Sequence, residues 1–560
     1  MLKKIRVAVA LFIFCPLTFY FLDFAGLLPV NTPLLRVQFI PAILSLNVAA
    51  LVFLLASVMI FGRIYCSVIC PMGVLQDIAN RCSRGRQRTF GKNHAVLRLS
   101  VLAVCLVPFL FGFTLITGIL DPYGAYGRIA VHLFKPVYML LNNALAYLFN
   151  SFGNYTFYRV EVTMLSVFSF VTAILTITVI CVLAYAKGRL YCNTVCPVGT
   201  VLGCLNKYSL FKIRIDKDKC VSCGVCEKRC KASCIDMKAK TIDYSRCVNC
   251  FNCINNCGKK AISFSAGGNI EKPIKYCVVW NVIDCFATLA MTVIALRRDK
   301  QVARREAPKQ SRGIGAIFDC GRYKSTIQKP VVHKAMDAVD DGKREFILTG
   351  ITAIITAPAI FARAKADALP NGKKERQIAV NPPGSVSAER LLKHCTSCHL
   401  CVSKCPTRAL KPAFMEYGVG GVMMPVMYFE KGFCNFDCTV CTNICPTGAL
   451  LPLTKEQKHR LQVGRVVFVP NRCVVTVKGT SCGACSEHCP TQAVKMIAYK
   501  NGLTIPSVDA DICVGCGGCE FICPVRPYRA IYVEGNGVHQ QARAFEVEKN
   551  TENEITDFGF

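Results

Sequence analysis

Two cysteine motifs near the middle of the chain have the residue types and the spacing to hold iron–sulfur clusters. The segments CVSCGVCEKRC from residue 220 and CVNCFNCINNC from residue 247 both read C-x2-C-x2-C-x3-C. In this spacing, three thiolates of a short loop bind one [4Fe–4S] cluster and the fourth binds the partner cluster. C-x2-C pairs also bind zinc, which is the alternative at these positions. The exchange predicts one cluster on Cys220, Cys223, Cys226 and Cys257, and another on Cys247, Cys250, Cys253 and Cys230.

Four further motifs follow in the C-terminal third of the chain, and each ends in Cys-Pro. They are CTSCHLCVSKCP from residue 395, CNFDCTVCTNICP from 434, CVVTVKGTSCGACSEHCP from 473 and CVGCGGCEFICP from 513. The first and last keep the plain spacing, whereas the middle two lengthen the first gap to three and eight residues. Four motifs predict four clusters, which brings the predicted total to six.

This tandem arrangement resembles four-cluster ferredoxins, in which the outer two motifs exchange their fourth ligands and the inner two do the same. By that resemblance, the outer clusters are held by Cys395, Cys398, Cys401 and Cys523, and by Cys513, Cys516, Cys519 and Cys405. The inner clusters are held by Cys434, Cys438, Cys441 and Cys489, and by Cys473, Cys482, Cys485 and Cys445.

A twelve-residue segment occurs twice, as GRIYCSVICPMG from residue 62 and GRLYCNTVCPVG from residue 188. On a helix, cysteines at i and i+4 lie on one face, and the following proline favours the start or a break of a helix. An internal repeat would bring Cys66, Cys70, Cys192 and Cys196 together. Four converging thiolates could hold a metal or a cluster, or act as redox-active thiols. The alternative is that each copy only shapes a joint between a helix and a loop.

The elements that must position these cysteines include a membrane part. Hydrophobic residues make up 52% of the 560 residues, more than in an ordinary soluble protein. Four stretches reach the length of about 20 residues that a spanning helix needs, at 5–28, 38–61, 97–120 and 162–186. They predict an α-helical membrane domain of four helices over 1–214. Bacterial-type ferredoxin domains of the α+β class are predicted to follow, with two clusters over 215–265 and four over 365–535.

The charge distribution predicts an orientation for these helices. Basic residues are dense in RCSRGRQRTFGKNH, before the third stretch, and again just after the fourth, whereas the loop 121–161 has few charges. By the positive-inside rule, the N-terminus, the loop 62–96 and the residues just after 187 are cytoplasmic. The formal net charge of +32 is explained in this way. No basic module with interleaved aromatic residues is present, so nucleic acid is not an expected partner.

The segment between the two ferredoxin domains decides where the second one lies. Residues 266–345 form a connector with an apolar segment, 277–296, and a basic stretch. Residues 346–364 follow Lys343 and Arg344 in the layout of a twin-arginine-type export signal. We expect this signal to remain as an anchor helix, so that 365–535 is periplasmic and 536–560 forms a tail. Two full crossings would instead return the C-terminal part to the cytoplasm.

The order of these motifs resembles two families of ferredoxin-type proteins. Residues 1–265 resemble the membrane proteins of the periplasmic nitrate reductase and methylamine utilisation systems (NapH/MauN type), with four helices, two C-x3-C-P motifs and a two-cluster ferredoxin. Residues 337–530 resemble their exported four-cluster partner (NapG/MauM type). The chain departs from both in being one polypeptide and in its Lys-Arg signal. It also has Lys231 and Gly258 where proline usually follows the fourth cysteine.

The resemblance implies a multi-pass electron-transfer protein of the bacterial inner membrane. Its expected cofactors are six [4Fe–4S] clusters, a quinone or quinol, and an additional cluster or metal at the repeated segment. Electrons would pass from the quinone pool, or from a cytoplasmic electron donor, to a periplasmic reductase or electron carrier. It would be a quinol-oxidising subunit rather than a self-sufficient enzyme. The alternative is an assembly factor that supplies electrons while a partner metalloenzyme matures.

Nine cysteines remain outside these motifs, and most of them lie in apolar stretches. A buried free cysteine behaves as a small apolar side chain, so we expect these nine to serve packing. They are Cys15, Cys82, Cys105, Cys181, Cys204, Cys234, Cys277, Cys285 and Cys320.

Overall fold

The computed structural model of the chain describes residues 1–29, 33–82, 89–91, 93–162, 165–266 and 376–544. The apolar segment 277–296, the anchor segment 346–364, nearly all of the connector and the end of the tail lie outside these residues. The described residues all belong to one compact unit. Within it we distinguish a helical part (1–206), a small cysteine-rich domain (211–266) and a large cysteine-rich domain (376–544).

The helical part contains thirteen α-helices in its described residues, with a π-helical turn, Ala130–Phe134, between α9 and α10. They are α1 (Leu2–Leu22), α2 (Pro33–Arg36), α3 (Phe39–Leu44), α4 (Val48–Phe61), α5 (Tyr65–Val68), α6 (Pro71–Cys82), α7 (Ala95–Leu110), α8 (Leu115–Leu120), α9 (Pro122–Ile129), α10 (Lys135–Asn150), α11 (Val167–Lys187), α12 (Leu190–Thr194) and α13 (Pro197–Asn206).

Only two of the four predicted spanning segments are continuous helices. Among the described residues, α1 and α11 are long and apolar enough to cross a membrane. The segment 38–61 is divided into α3 and α4, because Leu46 takes a left-handed φ of 55° and the side chain of Asn47 caps α4. The segment 97–120 is divided into α7 and α8, because the chain turns at Gly112, where φ is 82°.

The prediction of a loop over 121–161 is wrong, because residues 122–150 are helical throughout. The carboxylate of Asp121 accepts hydrogen bonds from the backbone N–H groups of Tyr123 and Gly124, and Pro122 occupies the first position of α9. A proline at this position costs no helical hydrogen bond. The charge-poor segment therefore belongs to helices and not to a connecting loop, with α9 buried and α10 exposing apolar side chains.

The small domain is built around two short antiparallel pairs of strands. β1 (Phe211–Ile215) pairs with β4 (Ile262–Ala266), with Ile213 opposite Phe264. β2 (Ile235–Asp236) and β3 (Thr241–Ile242) form a hairpin between the two cysteine motifs. One helical turn lies within each motif, at Val225–Lys228 and Asn252–Asn255.

The large domain repeats this plan twice. β5 (Leu410–Pro412) pairs with β6 (Pro425–Met427), and β8 (Val494–Ala498) pairs with β9 (Thr504–Val508). β7 (Leu461–Phe468) and β10 (Ile531–Gln541) pair antiparallel and join the two halves. The short helices are Ala388–His394, Leu400–Ser403, Val440–Ile444, Lys455–His459, Val474–Lys478, Ala484–Glu487 and Gly518–Ile522, with 3-10 turns at Val419–Gly421, Pro470–Arg472 and Lys500–Gly502.

Helix α1 reaches from one cysteine-rich domain to the other. Near its N-terminus, Arg6 pairs with Asp77 of α6 at 2.9 Å, and Asp77 pairs with Lys231 of the small domain at 3.1 Å. Just beyond its C-terminus, Asp23 forms a buried ion pair with Lys404 of the large domain. The two cysteine-rich domains therefore contact opposite ends of this helix.

Helix α11 spans the same interval. Near its N-terminus, the ring of Phe168 packs edge-on against Phe414 of the large domain, with ring centroids 5.2 Å apart. Beyond its C-terminus, the backbone N–H of Arg189 donates to the carbonyl of Lys231 in the small domain at 2.8 Å.

The two divided segments also extend between the domains. In the segment of α7 and α8, Arg98 donates to the hydroxyl of Ser245 in the small domain at 3.2 Å, and Thr114 donates to the carbonyl of Cys395 in the large domain at 2.9 Å. In the segment of α3 and α4, the carbonyl of Phe61 accepts from Asn249 of the small domain. The break of this segment lies near the large domain, since a Cβ at Gly448 would lie 3.9 Å from the Cα of Ser45. All four predicted spanning segments therefore extend between the two domains, although two of them are broken.

Large apolar side chains are exposed on the outer faces of these helices. Soluble monomers rarely expose contiguous apolar patches of more than a few hundred Å². The exposed side chains include Val9, Phe12 and Phe19 on α1, Val52, Phe53 and Ile60 on α4, Leu99, Val104 and Val107 on α7, Leu140, Leu141 and Leu148 on α10, and Val171, Leu175, Val179 and Val182 on α11.

Candidate metal centres

The small domain brings one predicted set of four cysteines around a single apolar pocket. The walls of the pocket are side chains of both hairpin strands and of β1, among them Ile213, Ile235 and Ile242. Such walls keep water away from a bound cluster. The four thiols are those of Cys230, Cys247, Cys250 and Cys253.

The second set in the small domain lies against the same core. Burial and the thiols of Cys220 and Cys223 raise the pKa of Cys226, which places these three cysteines of one loop together. Cys257, predicted as their fourth partner, is half-buried and packs against the core that contains Cys226.

One cysteine of this domain was assigned to packing by the sequence but lines the first pocket. The sulfur of Cys234 lies 3.6 Å from that of Cys230 and borders the same cavity. It directly precedes the strand residue Ile235, so its side chain is carried inward with the hairpin. Its position four residues after the predicted ligand Cys230 is the sequence feature that could have indicated this location.

In the large domain the structure groups the motifs differently from the prediction. Cys395, Cys401 and Cys445 pack against the same buried residues, and burial and the thiols of Cys398, Cys395 and Cys445 raise the pKa of Cys401, so the first motif takes its fourth thiol from the second motif. Burial and the thiols of Cys434, Cys405 and Cys438 likewise raise the pKa of Cys441. The first two motifs therefore exchange ligands with each other, and the predicted grouping of Cys523 with the first motif is wrong.

The third and fourth motifs make the corresponding exchange. One pocket is lined by four thiols that include the last cysteine of the fourth motif, namely Cys473, Cys482, Cys485 and Cys523. Burial raises the pKa of Cys516 to about 12, and the thiols of Cys513 and Cys489 contribute to the rise. The predicted groupings of Cys445 with the third motif and of Cys489 with the second are therefore also wrong.

The physical reason is the hairpin that joins consecutive motifs. β5 and β6 lie between the first and second motifs, and β8 and β9 lie between the third and fourth. Each hairpin folds one motif back on the next, as β2 and β3 do in the small domain. The large domain thus consists of two copies of the two-motif fold of the small domain. Its outer motifs do not pair with each other, and neither do its inner motifs.

The repeated segments bring their four cysteines together in the core of the helical part, where all four are buried. Burial and the thiols of Cys66 and Cys192 raise the pKa of Cys70. Burial and the thiols of Cys192, Cys70 and Cys66 raise the pKa of Cys196. The convergence expected from an internal repeat is therefore present.

The two cysteines of one copy do not lie on one continuous helix, contrary to the prediction. α5 ends at Val68, and Cys70 stands immediately before Pro71, where α6 begins. In the second copy, Cys196 is the N-cap of α13, which begins at Pro197. The proline starts a new helix in each copy, so the second cysteine sits at a helix N-terminus, where negative charge is stabilised.

Buried arginines cross between the two copies. Arg63 of the first copy donates to the carbonyl of Cys192 in the second at 3.1 Å, and Arg189 of the second donates to the carbonyl of Cys66 in the first. Both guanidinium groups lie beside the four thiols and are at most 1% exposed. The crossing relates the copies by an approximate two-fold axis.

Glycine is required at one position of each copy. A Cβ at Gly73 would lie 2.1 Å from the carbonyl oxygen of Cys66, and one at Gly199 would lie 2.2 Å from that of Cys192. The close approach also aims backbone N–H groups at sulfur, since Gly199 donates to the sulfur of Cys196 at 3.3 Å.

Comparison with protein-family models gives two matches. A 4Fe–4S binding domain matches residues 43–89 and 168–217, which contain all four cysteines of the repeated segments. A 4Fe–4S dicluster domain matches residues 478–526, which span most of the third and fourth motifs of the large domain. The second match fits the exchange between these two motifs.

Several curated proteins are similar to parts of the chain. The methylamine utilization ferredoxin-type protein MauM of Methylorubrum extorquens is 29% identical over 188 residues, which are 32% of this chain and 84% of that protein. The ferredoxin-type protein NapF of Escherichia coli K12 is 26% identical over 28% of this chain and 87% of its own length. NapG of the same strain is 28% identical over 26% of this chain and 66% of its own length. No solved structure matches the chain.

The chain is an iron–sulfur electron-transfer protein of the ferredoxin type, with [4Fe–4S] domains. Its cysteines fit such clusters, because the two thiol-lined pockets described above are otherwise lined mainly by apolar side chains. The described residues contain no group of three or more His, Cys, Asp or Glu that could hold one metal ion. Both matching family models are of 4Fe–4S binding, which favours clusters over the zinc alternative.

The sequence did not predict a histidine pair at the interface between the helical part and the large domain. His132, in the π-helical turn, and His399, between two cysteines of the first motif, are 2.7 Å apart through Nε2 and Nδ1. The Nε2 of His399 lies 2.8 Å from the carbonyl oxygen of Met423. The pair ties the first motif of the large domain to the helices.

Proposed function

We propose that this chain is a membrane-bound protein that conducts electrons between a cytoplasmic two-cluster domain and a periplasmic four-cluster domain. The observation that carries this proposal is that α1, α11 and the segment of α7 and α8 each contact the small domain near one end and the large domain further along. A protein that served one side only would have no use for clusters at both ends of such helices.

The surface of the helical part supports a membrane location. Exposed apolar side chains on α1, α4, α7, α10 and α11 suit a lipid environment better than water. Basic residues gather at the end that holds the small domain, which by the positive-inside rule is the cytoplasmic end. The breaks in the segments 38–61 and 97–120 lie next to the large domain, because a Cβ at Gly112 would lie 3.1 Å from the side chain of Lys393 and a Cβ at Gly448 would lie 3.9 Å from the Cα of Ser45. Irregular backbone at this place is compatible with a membrane protein, because it is covered by protein rather than by lipid alone.

The regrouped cysteines support a linear order for the four clusters of the large domain. Arg128 of α9 donates to the carbonyl of Ser397 at 3.3 Å, so the first-motif cluster is nearest to the helices. The cluster of the second motif comes next, and its Cys434 donates a backbone hydrogen bond to the carbonyl of Cys516 at 2.9 Å. The cluster that includes Cys523 is therefore the last, and the most suitable exit to a partner.

With the two clusters of the small domain, the proposed count is six [4Fe–4S] clusters. Clusters of this kind carry one electron at a time and transform no substrate themselves. We assign the quinol pool as electron donor, on the resemblance to NapH-type proteins, and a periplasmic reductase or electron carrier as acceptor. A soluble cytoplasmic donor to the small domain is the alternative entry point.

The orientation is tested with reporter fusions to the full chain. Alkaline phosphatase, which is active only outside the cytoplasm, should be active when fused after residue 560. Green fluorescent protein should fluoresce when inserted after residue 266, at the end of the small domain. A fluorescent C-terminal fusion with inactive phosphatase would place the large domain in the cytoplasm and overturn the proposal.

The electron donor is tested with anaerobically purified protein in detergent. About 24 iron atoms per chain are expected for six clusters, or about 28 if the repeated segments hold a seventh. Addition of a reduced quinol analogue should bleach the visible cluster absorbance within the time of turnover. Full iron loading without bleaching would exclude the quinol pool as donor, and would favour a cytoplasmic donor and the assembly-factor role.

A further inference from the structure

One continuous buried core joins the cysteines of all three parts of the molecule. It contains Cys250 of the small domain, the four thiols of the repeated segments, and Leu400 and Ile444 of the large domain, with Cys398 packed against it. The four thiols of the repeats thus lie between a cluster site of the small domain and the first cluster site of the large domain.

On the side of the small domain, the connection is a chain of short polar contacts. Lys231, next to the ligand Cys230, pairs with Asp77 at 3.1 Å. Asp77 pairs with Arg189 at 2.9 Å, and Arg189 donates to the carbonyl of Cys66.

On the side of the large domain, the connection runs through the start of α9. The hydroxyl of Tyr191, adjacent to Cys192, donates to the carbonyl of Leu120 at 3.0 Å. Four residues further along the chain, a Cβ at Gly124 would lie 2.8 Å from the carbonyl oxygen of Thr396, which is adjacent to the predicted ligand Cys395. Both routes end at residues next to cluster ligands.

The charges beside the four thiols are unbalanced without an anion. Arg189 has a carboxylate partner, Asp77, but Arg63 donates to the neutral oxygens of Asn193 and Ser245, and its buried Nε has no partner. Among the residues that the structure describes, no carboxylate forms an ion pair with Arg63. A buried cation without a counter-charge is strongly destabilising, and a cluster on four thiolates carries the negative charge that Arg63 requires.

We propose that Cys66, Cys70, Cys192 and Cys196 together hold one further [4Fe–4S] cluster, and that this cluster is the junction through which electrons pass between the two cysteine-rich domains. The family match over these segments concerns 4Fe–4S binding. The sharing of one cluster by both copies, its charge partner and its place as the junction are inferred from the contacts above. The junction role rests on the proposed function, because it assumes that electrons move between the two ends.

The distance between the domains explains why a junction is needed. The fifteen residues from Arg6, at the end of the small domain, to Phe21, whose carbonyl accepts from Ser403, rise about 22 Å along α1. Electron tunnelling slows steeply with distance, and a cluster on the four thiols, which share one buried core with Cys250 and Cys398, replaces one long step between these cluster sites with two shorter ones. Each step moves one electron: the donor cluster is oxidised from the 1+ to the 2+ state, the junction is reduced from 2+ to 1+, and no atom is transferred.

Iron content tests the site itself in the full-length protein. Cys66→Ser and Cys192→Ser, one from each copy, should each lose about four of about 28 iron atoms and a matching amount of acid-labile sulfide. The electron paramagnetic resonance signals of the other clusters should remain, which shows that the variant has folded. Cys204→Ser is the matched control, because Cys204 lies on α13 close to the site but is exposed.

Electron transfer across vesicles tests the junction. Ferricyanide is trapped inside sealed proteoliposomes, and dithionite is added outside; neither ion crosses the bilayer. The wild type and Cys204→Ser should reduce ferricyanide at equal rates, and Cys66→Ser should be at least tenfold slower. Arg63→Gln, which removes the counter-charge but no ligand, should shift the junction's reduction potential to a lower value.

The possible failures are distinguishable. Unchanged iron and resonance spectra in both serine variants would show that the thiols hold no cluster. Loss of iron with an unchanged vesicle rate would show a cluster that is not the junction. Wild-type vesicles that fail to reduce ferricyanide would refute the proposed transmembrane conduction instead, whatever the iron content.

Discussion

The two copies of the repeated segment have the same backbone crossing, but they differ where the helix after each proline meets the small domain. Six residues after the second cysteine the first copy has Gln76 and the second has Leu202. At the next position, the first copy has Asp77 and the second has Gly203. The repeat is therefore symmetric at the thiols and asymmetric one to two turns away.

The two copies contact the small domain in two different ways. In the first copy, Asp77 is held between Arg6, Arg189 and Lys231, so charge ties α1, the second copy and the small domain together. In the second copy, a Cβ at Gly203 would lie 2.5 Å from the carbonyl oxygen of Ser245, so the absence of a side chain allows direct backbone contact.

The largest effect is expected from Asp77→Asn, which removes the charge that is unique to the first copy. Three cations would remain buried with no counter-charge, and breaking a buried network in this way costs about 3–5 kcal/mol. The free energy of unfolding in detergent should fall by that amount. Asp509→Asn, which alters an exposed ion pair with Arg543, is the control and should leave it unchanged. A loss below about 1 kcal/mol would contradict a central role for Asp77.

The pH dependence of the stability lost in Asp77→Asn tests whether Asp77 is charged in the folded protein. Burial alone would raise the pKa of Asp77, but Arg189, Lys231 and Arg6 lower it far below its usual range. A depressed folded pKa gives stability that is complete above the unfolded pKa of about 3.9 and is lost as pH falls towards the folded value. The difference between wild type and Asp77→Asn should therefore be constant from about pH 8 to about pH 5. Below about pH 4 the difference should narrow, and a difference that stays constant there would show an ordinary pKa.

A smaller loss is expected from Gly203→Ala in the second copy. The added methyl group would meet a backbone oxygen that cannot turn aside, and overpacking of this kind costs about 1–3 kcal/mol. The control is Gly258→Ala, because a Cβ at Gly258 would meet no atom within 4 Å. The measurement is the unfolding midpoint of the small domain's cluster absorbance. Equal midpoints for the two variants would show that the close approach at Gly203 contributes nothing.

The sequence could predict local ligand sets but not their long-range pairing. Three cysteines within seven residues of one loop must face one cluster, which is why Cys247, Cys250 and Cys253 could be assigned from spacing alone. The fourth ligand depends on which motif a hairpin folds back, and strands as short as Leu410–Pro412 carry too few residues for a periodic signal. Resemblance to nested ferredoxins therefore led to the wrong partner for Cys445.

In the helical part, too, the sequence predicted some features and not others. Apolar composition predicted the four segments that reach between the domains. It could not predict the breaks at Leu46 and Gly112, because single residues with positive φ leave the hydropathy of a segment unchanged. The four thiols of the repeats were predicted to converge from the repetition itself. Asp77 was not singled out, since nothing near it in sequence shows that Arg6 and Lys231 will reach it.

The smallest effect is expected from Gln76→Leu, which makes the first copy match the second at Leu202. Gln76 donates from Nε2 to the sulfur of Cys192 at 3.2 Å, and no glutamine stands at the equivalent position of the other copy. Loss of one hydrogen bond should cost about 0.5–1.5 kcal/mol in unfolding free energy. A donor to sulfur stabilises the reduced cluster, so its removal should also lower the reduction potential of the proposed junction. The six other clusters serve as internal controls in the same redox titration. If every potential stayed the same while stability fell, Gln76 would be a packing residue, and the two copies would be electrically equivalent despite their different surroundings.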